Sequence, residues 1–95
     1  MYAIIFNIDT NFLVTYYDDN ISKNAHNNIR LFMEKNNFTW QQGEVYFGNE
    51  KINAVSCVIT IQNLLKKYPW FNFCVKNLKM LRIENIEDLM PTLLI

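Results

Sequence analysis

An α+β fold with the element order βαββαβ is what the sequence predicts, and three features predict it. Residues 2–9 alternate between two faces with the period of a strand. Residues 22–37 and 53–68 each carry apolar side chains at helical spacing. Between them, residues 38–47 are aromatic and β-branched, with Gly43 inside the run, which reads as a pair of strands.

In the first strand Tyr2, Ile4, Phe6 and Ile8 point one way, toward a core under helices. Ala3, Ile5, Asn7 and Asp9 point the other way, on a face that begins apolar and ends polar. Residues 10–21 are polar and include Asp18, Asp19 and Asn20, so a loop is expected. A helix is expected from Ser22, a suitable N-cap, with Ala25, Ile29, Phe32 and Met33 on its buried stripe. Asn36 and Asn37 are expected to end it, because asparagine tolerates the left-handed conformation. FTWQQ and EVYF then form a hairpin or bent strand pair hinged at Gln42 and Gly43, and Gly48 with Asn49 makes a turn.

Residues 53–68 contain strand formers, but the run is too long for a typical strand. Ala54, Val58, Ile61, Leu65 and Tyr68 recur at helical spacing, and Pro69 ends the element. Trp70, Phe71 and Phe73 form an aromatic knot after it. Residues 75–84 read as a last strand whose apolar face switches, from Leu78 and Met80 to Leu81 and Ile83. Such a switch implies a bulge or cover on both faces. Residues 86–95 are an apolar tail interrupted by Pro91. This order is the split βαβ, ferredoxin-like arrangement: an antiparallel sheet with two helices on one face, plus a C-terminal tail. Its open face would carry Ala3 and Ile5, so partial cover by a second subunit is expected.

The length suits one domain, residues 1–95. With 51% hydrophobic and 15% aromatic residues, the chain has more apolar material than a small monomer easily hides, which points to a dimer. The net charge is zero, so no global field draws it to nucleic acid. The charge is uneven, with three basic and six acidic residues before Lys51, then six basic and three acidic. A basic surface in the second half is one reading; ordinary solvated charge is the other. Cys57 and Cys74 lie in apolar stretches without metal or redox spacing, as buried thiols do. With no leader-like start and no membrane-length apolar run, a reduced, cytoplasmic protein without membrane contact is expected.

Two glycines cannot build a phosphate-binding loop or a dinucleotide fingerprint. His26 is the only histidine, which excludes a multi-histidine metal site within one chain; a solvent-facing or half-buried role is expected. The end of the first strand is the more informative place. Asn7 and Asp9 share a face there, about 7 Å apart. A strand-end carboxylate can hold a divalent metal or orient a nucleophile, and a two-fold dimer would pair two copies. Asp9 can equally cap the following turn, and spacing alone favours that.

Three segments together carry a resemblance: MYAIIFNIDT, NNFTWQQGEVYFGN, and WF..CVKNLKMLRIE. In order and spacing they resemble the virulence-associated protein D (VapD) family across essentially the whole chain. That family begins MYAIAFDL or similar, has a G-F-x-W-x-Q-G-S-V-Y segment, and ends on a VRDIRAFRIE-like strand. It is similar to the ferredoxin-like nuclease subunit of CRISPR adaptation. The resemblance implies a homodimeric endoribonuclease acting on RNA, in some members a toxin opposed by an antitoxin protein, with a divalent metal such as magnesium left open as cofactor.

The resemblance also implies site residues. The aspartate closing the family's first strand falls on Asn7, a departure that keeps the shape and removes the charge. Either a disarming substitution was introduced there, or a natural member has lost or altered its activity, with Asp9 as the remaining carboxylate. The family's Gln-Gly-Ser reads Gln42, Gly43, Glu44, and an acidic side chain there would repel phosphate. Tyr46 matches a family tyrosine that is either catalytic or a core aromatic. Lys76, Lys79 and Arg82 match basic positions that would touch phosphates. His26 falls where the family carries tyrosine, so the resemblance gives it no catalytic part. The competing expectation is a non-catalytic dimeric module that binds RNA or an antitoxin. A ligand sensor is a third reading, supported by fold alone.

Overall fold

The computed structural model describes residues 1–94; Ile95, the last residue of the apolar tail, lies outside the described residues. The elements run β1 (Tyr2–Ile8), α1 (Thr10–Tyr16), α2 (Asp19–Lys35), β2 (Phe38–Gln42), β3 (Val45–Gly48), α3 (Ala54–Lys67), a single turn α4 (Phe71–Cys74) and β4 (Val75–Arg82). A 3₁₀ turn at Met90–Leu94 follows. The sheet order is β2-β3-β1-β4 with every neighbouring pair antiparallel. This is the ferredoxin-like α+β arrangement that the element order predicts.

The helix starts correct the sequence reading. Residues 10–16 form a helix where a loop was expected. Asp9 caps it, its carboxylate accepting from the Phe12 N–H at 3.2 Å. Only Leu13 of α1 is buried, so no stripe announces the helix. α2 begins before Ser22, because Asp18 is the cap and accepts from the Ile21 N–H at 2.8 Å. Ala25, Ile29 and Met33 form its buried line as expected. Asn37 takes the left-handed conformation with φ 71°, which releases the chain into β2.

α3 opens on a capping box between Asn53 and Ser56, worth about 1 kcal/mol. Its buried line is Cys57, Thr60 and Leu64, whereas Val58 is 54% exposed. The stripe read from the sequence is therefore rotated, since β-branched residues occupy the solvent side. The aromatic knot also splits: Trp70 and Phe71 are buried and Phe73 is exposed. Phe71 meets Phe6 edge-on at 5.3 Å, and Phe6 stacks on Tyr46 at 6.0 Å. These rings join Ile4, Ile29, Met33 and Leu64 in the core between sheet and helices. Both cysteines are free and buried, and burial pushes the Cys74 thiol up to about 11.

The last strand does hold a bulge, but before the Met80–Leu81 face switch, across which the pairing from Lys79 to Arg82 is regular. Ile5 pairs with Lys79, yet Asn7 pairs with Lys76, so β4 holds one more residue than β1 over this step. Asn77 absorbs it in the left-handed region at φ 55°. In a regular strand Lys76 and Lys79, three apart, would face opposite ways. The bulge turns both to the open face of the sheet, the face of Asn7. That face also carries Ala3, Ile5, Phe47 and Leu81, and no helix covers it: Leu81 is 40% exposed.

Candidate active site at the strand ends

The hairpin turn between β2 and β3 closes over the end of β1. Gly43 supplies the positive φ of 49° that the turn needs. The Trp40 indole Nε1–H donates to the Gly43 carbonyl at 2.7 Å, and the Phe6 N–H donates to the Glu44 carbonyl at 3.2 Å. The turn is thus pinned beside Asn7. Between them lies an open cleft of about 720 Å³, lined among others by Asn7, Gln42, Gly43, Glu44, Asn77 and Lys79. Asn7 is exposed in it.

Asp9 sits just past β1, occupied as the α1 cap and facing Lys76 Nζ at 3.4 Å. The Phe12 N–H, with Lys76 beside it, holds the Asp9 carboxyl below the usual carboxylate range. Lys76 therefore stands next to both Asn7 and Asp9. Arg82 does not reach this end: it pairs with Tyr2, at the opposite end of β1. Tyr46 does not line the cleft either. It faces the core at 1% exposure, and burial, with Glu44 nearby, pushes its phenol up to about 12. Such a phenol stays protonated at neutral pH, so the core-aromatic reading describes it.

Glu44 gives the least expected geometry. Its carboxylate does not point at phosphate in the cleft; it turns toward α2 and meets His26 Nδ1, with side-chain exposures of 12% for Glu44 and 51% for His26. The two positions that depart from the family pattern at 26 and 44 therefore touch. One helical turn further on, Arg30 lies over the Trp40 ring at 3.9 Å. The sequence reading missed Asn77 in the cleft lining, for which a lone Asn inside a strand pattern was a usable signal, whereas His26 is half-exposed as expected.

A divalent cation does not fit the donor set. Asp9 is held by Phe12 and Lys76, Glu44 by His26, and Lys76 and Lys79 bring positive charge to the same face. Among the described residues no three His, Cys, Asp or Glu side chains gather. What the cleft offers is amides, backbone groups and ammonium donors, a set suited to a phosphodiester backbone.

Fold and cleft together define a ferredoxin-like α+β protein with a polar, lysine-flanked pocket where its central strand ends. The chain belongs to the VapD family. It is 52% identical over 93 residues to a Riemerella anatipestifer protein named endoribonuclease VapD 2, covering 98% of this chain and 99% of that one. It is 53% identical over 93 residues to a Helicobacter pylori endoribonuclease VapD homolog, covering 98% and 96%. A second Helicobacter pylori protein, endoribonuclease VapD, is 30% identical over 88 residues, 93% of each chain. No family model matches the chain. No helix among the described residues is long and apolar enough to cross a membrane.

Proposed function

We propose that the chain is an endoribonuclease that cuts RNA in the strand-end cleft, with its activity reduced by the amide at position 7. The observation that carries this is that residues of the segments carrying the family resemblance line one cleft, in a chain 52–53% identical to proteins named endoribonucleases. Asn7 can donate to a phosphate oxygen but cannot accept a proton at neutral pH, so it can bind without acting as base. Lys76 and Lys79 supply positive charge on the same face. Asn7→Asp is expected to raise the cleavage rate of a labelled RNA by at least about tenfold, a modest share of what general base catalysis contributes. Equal cleavage by both forms, or by neither, removes position 7 from the mechanism.

The working unit in this proposal is a homodimer of cytoplasmic protein, with the toxin role and an antitoxin partner carried over from the resemblance. Two open sheet faces packed together would cover Ile5, Phe47 and Leu81 beside the already buried Ala3, and bring two clefts near the two-fold axis. Leu81→Glu places a charge in that contact and is expected to convert a mass of two chains, measured by light scattering, to one. A dimer that survives this change sinks the sheet-to-sheet arrangement. The competing reading, a module that binds RNA or an antitoxin without cutting, is favoured by one feature, the missing carboxylate at Asn7. RNA binding without cleavage by the unmodified chain would establish it.

A further inference from the structure

Glu44 lines the strand-end cleft together with Asn7 and Lys79. A carboxylate free in that space would repel a phosphodiester backbone and compete with it for Lys79. The Glu44 carboxylate is instead turned toward α2, where it meets His26 Nδ1. We propose that His26 is a positioning residue for RNA binding: by holding the Glu44 carboxylate against α2, it keeps negative charge out of the cleft. The proposal rests on the reading of the cleft as an RNA site. It needs no contact between His26 and the RNA.

The backbone of Glu44 is fixed beside the cleft. Its carbonyl accepts from the Phe6 N–H at 3.2 Å, and the next residue, Val45, pairs with Ile5 of β1. The carbonyl of Gly43, just before it, accepts from the Trp40 indole at 2.7 Å. The side-chain torsions are the freedom that remains, and they decide whether the charge sits over the cleft or against α2. Against α2 the Glu44 side chain is only 12% exposed. A carboxylate that has lost this much water needs a donor or a cation in its place. Among the described residues His26 is that partner.

The cations a turn away on either side of His26 are engaged elsewhere. Lys23 is paired with Asp19 at 3.1 Å, and Arg30 lies over the Trp40 ring at 3.9 Å. Without the imidazole, the covered position leaves the carboxylate short of a donor. The open cleft, with Lys79 on its wall, then becomes the better place for it. Nδ1 donates both in the imidazolium and in the neutral tautomer protonated there, so the contact does not require a single charge state of the ring.

The test is a double-mutant cycle on RNA affinity. Binding of a short labelled single-stranded RNA, 2′-O-methylated to block attack by its 2′-hydroxyls, is read by fluorescence anisotropy. His26→Ala is expected to bind at least about tenfold more weakly, because the released carboxylate faces phosphate. Glu44→Gln, with the charge removed, should bind at least as tightly as the unmodified chain. The double variant His26→Ala/Glu44→Gln should recover to within about twofold of Glu44→Gln. His26→Gln, whose carboxamide can still donate to Glu44, should lose less affinity than His26→Ala. A contact that merely ties α2 to the hairpin turn gives the opposite sign: Glu44→Gln weakens binding as well, and the double variant is no better than His26→Ala. That result, or equal binding by His26→Ala and the unmodified chain, overturns the role of His26 while the RNA-site reading stands. If the unmodified chain does not bind the RNA, both are overturned.

Discussion

Phe71→Ala is expected to lower the melting temperature by about 15–30 °C, measured by circular dichroism. Phe71 is 0% exposed and lies edge-on to Phe6, in the one-turn helix that leads into β4. The change removes a ring from the point where β1 and β4 meet the helices. Losing a buried phenylalanine costs about 3–5 kcal/mol, the transfer term plus the cavity left behind. A domain of this size has a total stability of about 5–15 kcal/mol and loses about 4–8 °C for each kcal/mol, so the fall is large. Phe73 is the internal comparison. It lies two residues away but is 58% exposed, stacking only on Phe12 at 6.3 Å. Phe73→Ala is expected to cost about 1 kcal/mol or less. Similar melting temperatures for the two variants would mean that Phe71 does not anchor the core.

The contrast between these two aromatic residues shows where the sequence was legible. The alternation of β1 assigns Ile4 and Phe6 to the core and Asn7 to the other face correctly, because a strand has a strict period of two. Gly43 marks its turn because a positive φ suits few residues. The helix starts were harder, since polar residues signal both loops and caps. Asp9 and Asp18 each accept from the N–H three residues on, so the run read as a loop is two caps and a short helix. In α3 the β-branched residues Val55, Val58 and Ile59 are exposed, so the apolar pattern did not show which side is buried.

For the site, Asn7, Gln42, Gly43, Glu44 and Lys79 were found from segments that resemble a family, and the fold brings them to one cleft. Tyr46 and Arg82 came with the same segments, but neither lines it. A motif gives order along the chain, whereas membership of a site depends on strand face and distance along the strand. Asn77 decides which lysines join Asn7, and it does so through a bulge that lies before the Met80–Leu81 face switch at which the pattern suggested one. The contact between His26 and Glu44 joins α2 to the hairpin turn. It is tertiary and leaves no trace in local spacing.

The bulge leads to the second large expectation, on RNA affinity. Lys76 and Lys79 share the open face with Asn7 only because β4 carries the extra residue. If both contact phosphates, each releases about 0.7 of a counterion on a single strand, which amounts to about fivefold in affinity at 0.1 M salt. The double variant Lys76→Ala/Lys79→Ala is therefore expected to bind a single-stranded RNA about 25-fold more weakly. The slope of log affinity against log salt should become shallower by about 1.4. Arg82→Ala, at the far end of the strand, should change affinity by less than about twofold. Lys76 has a second partner in Asp9 at 3.4 Å, and that contact competes with phosphate. Asp9→Asn should accordingly strengthen the Lys76 contribution while removing a charged cap from α1. Titrations by fluorescence anisotropy at three salt concentrations measure all of these. An unchanged salt slope in the double variant would mean that RNA does not lie along this face, and a loss on Arg82→Ala equal to that of the double variant would place it at the other end of the sheet.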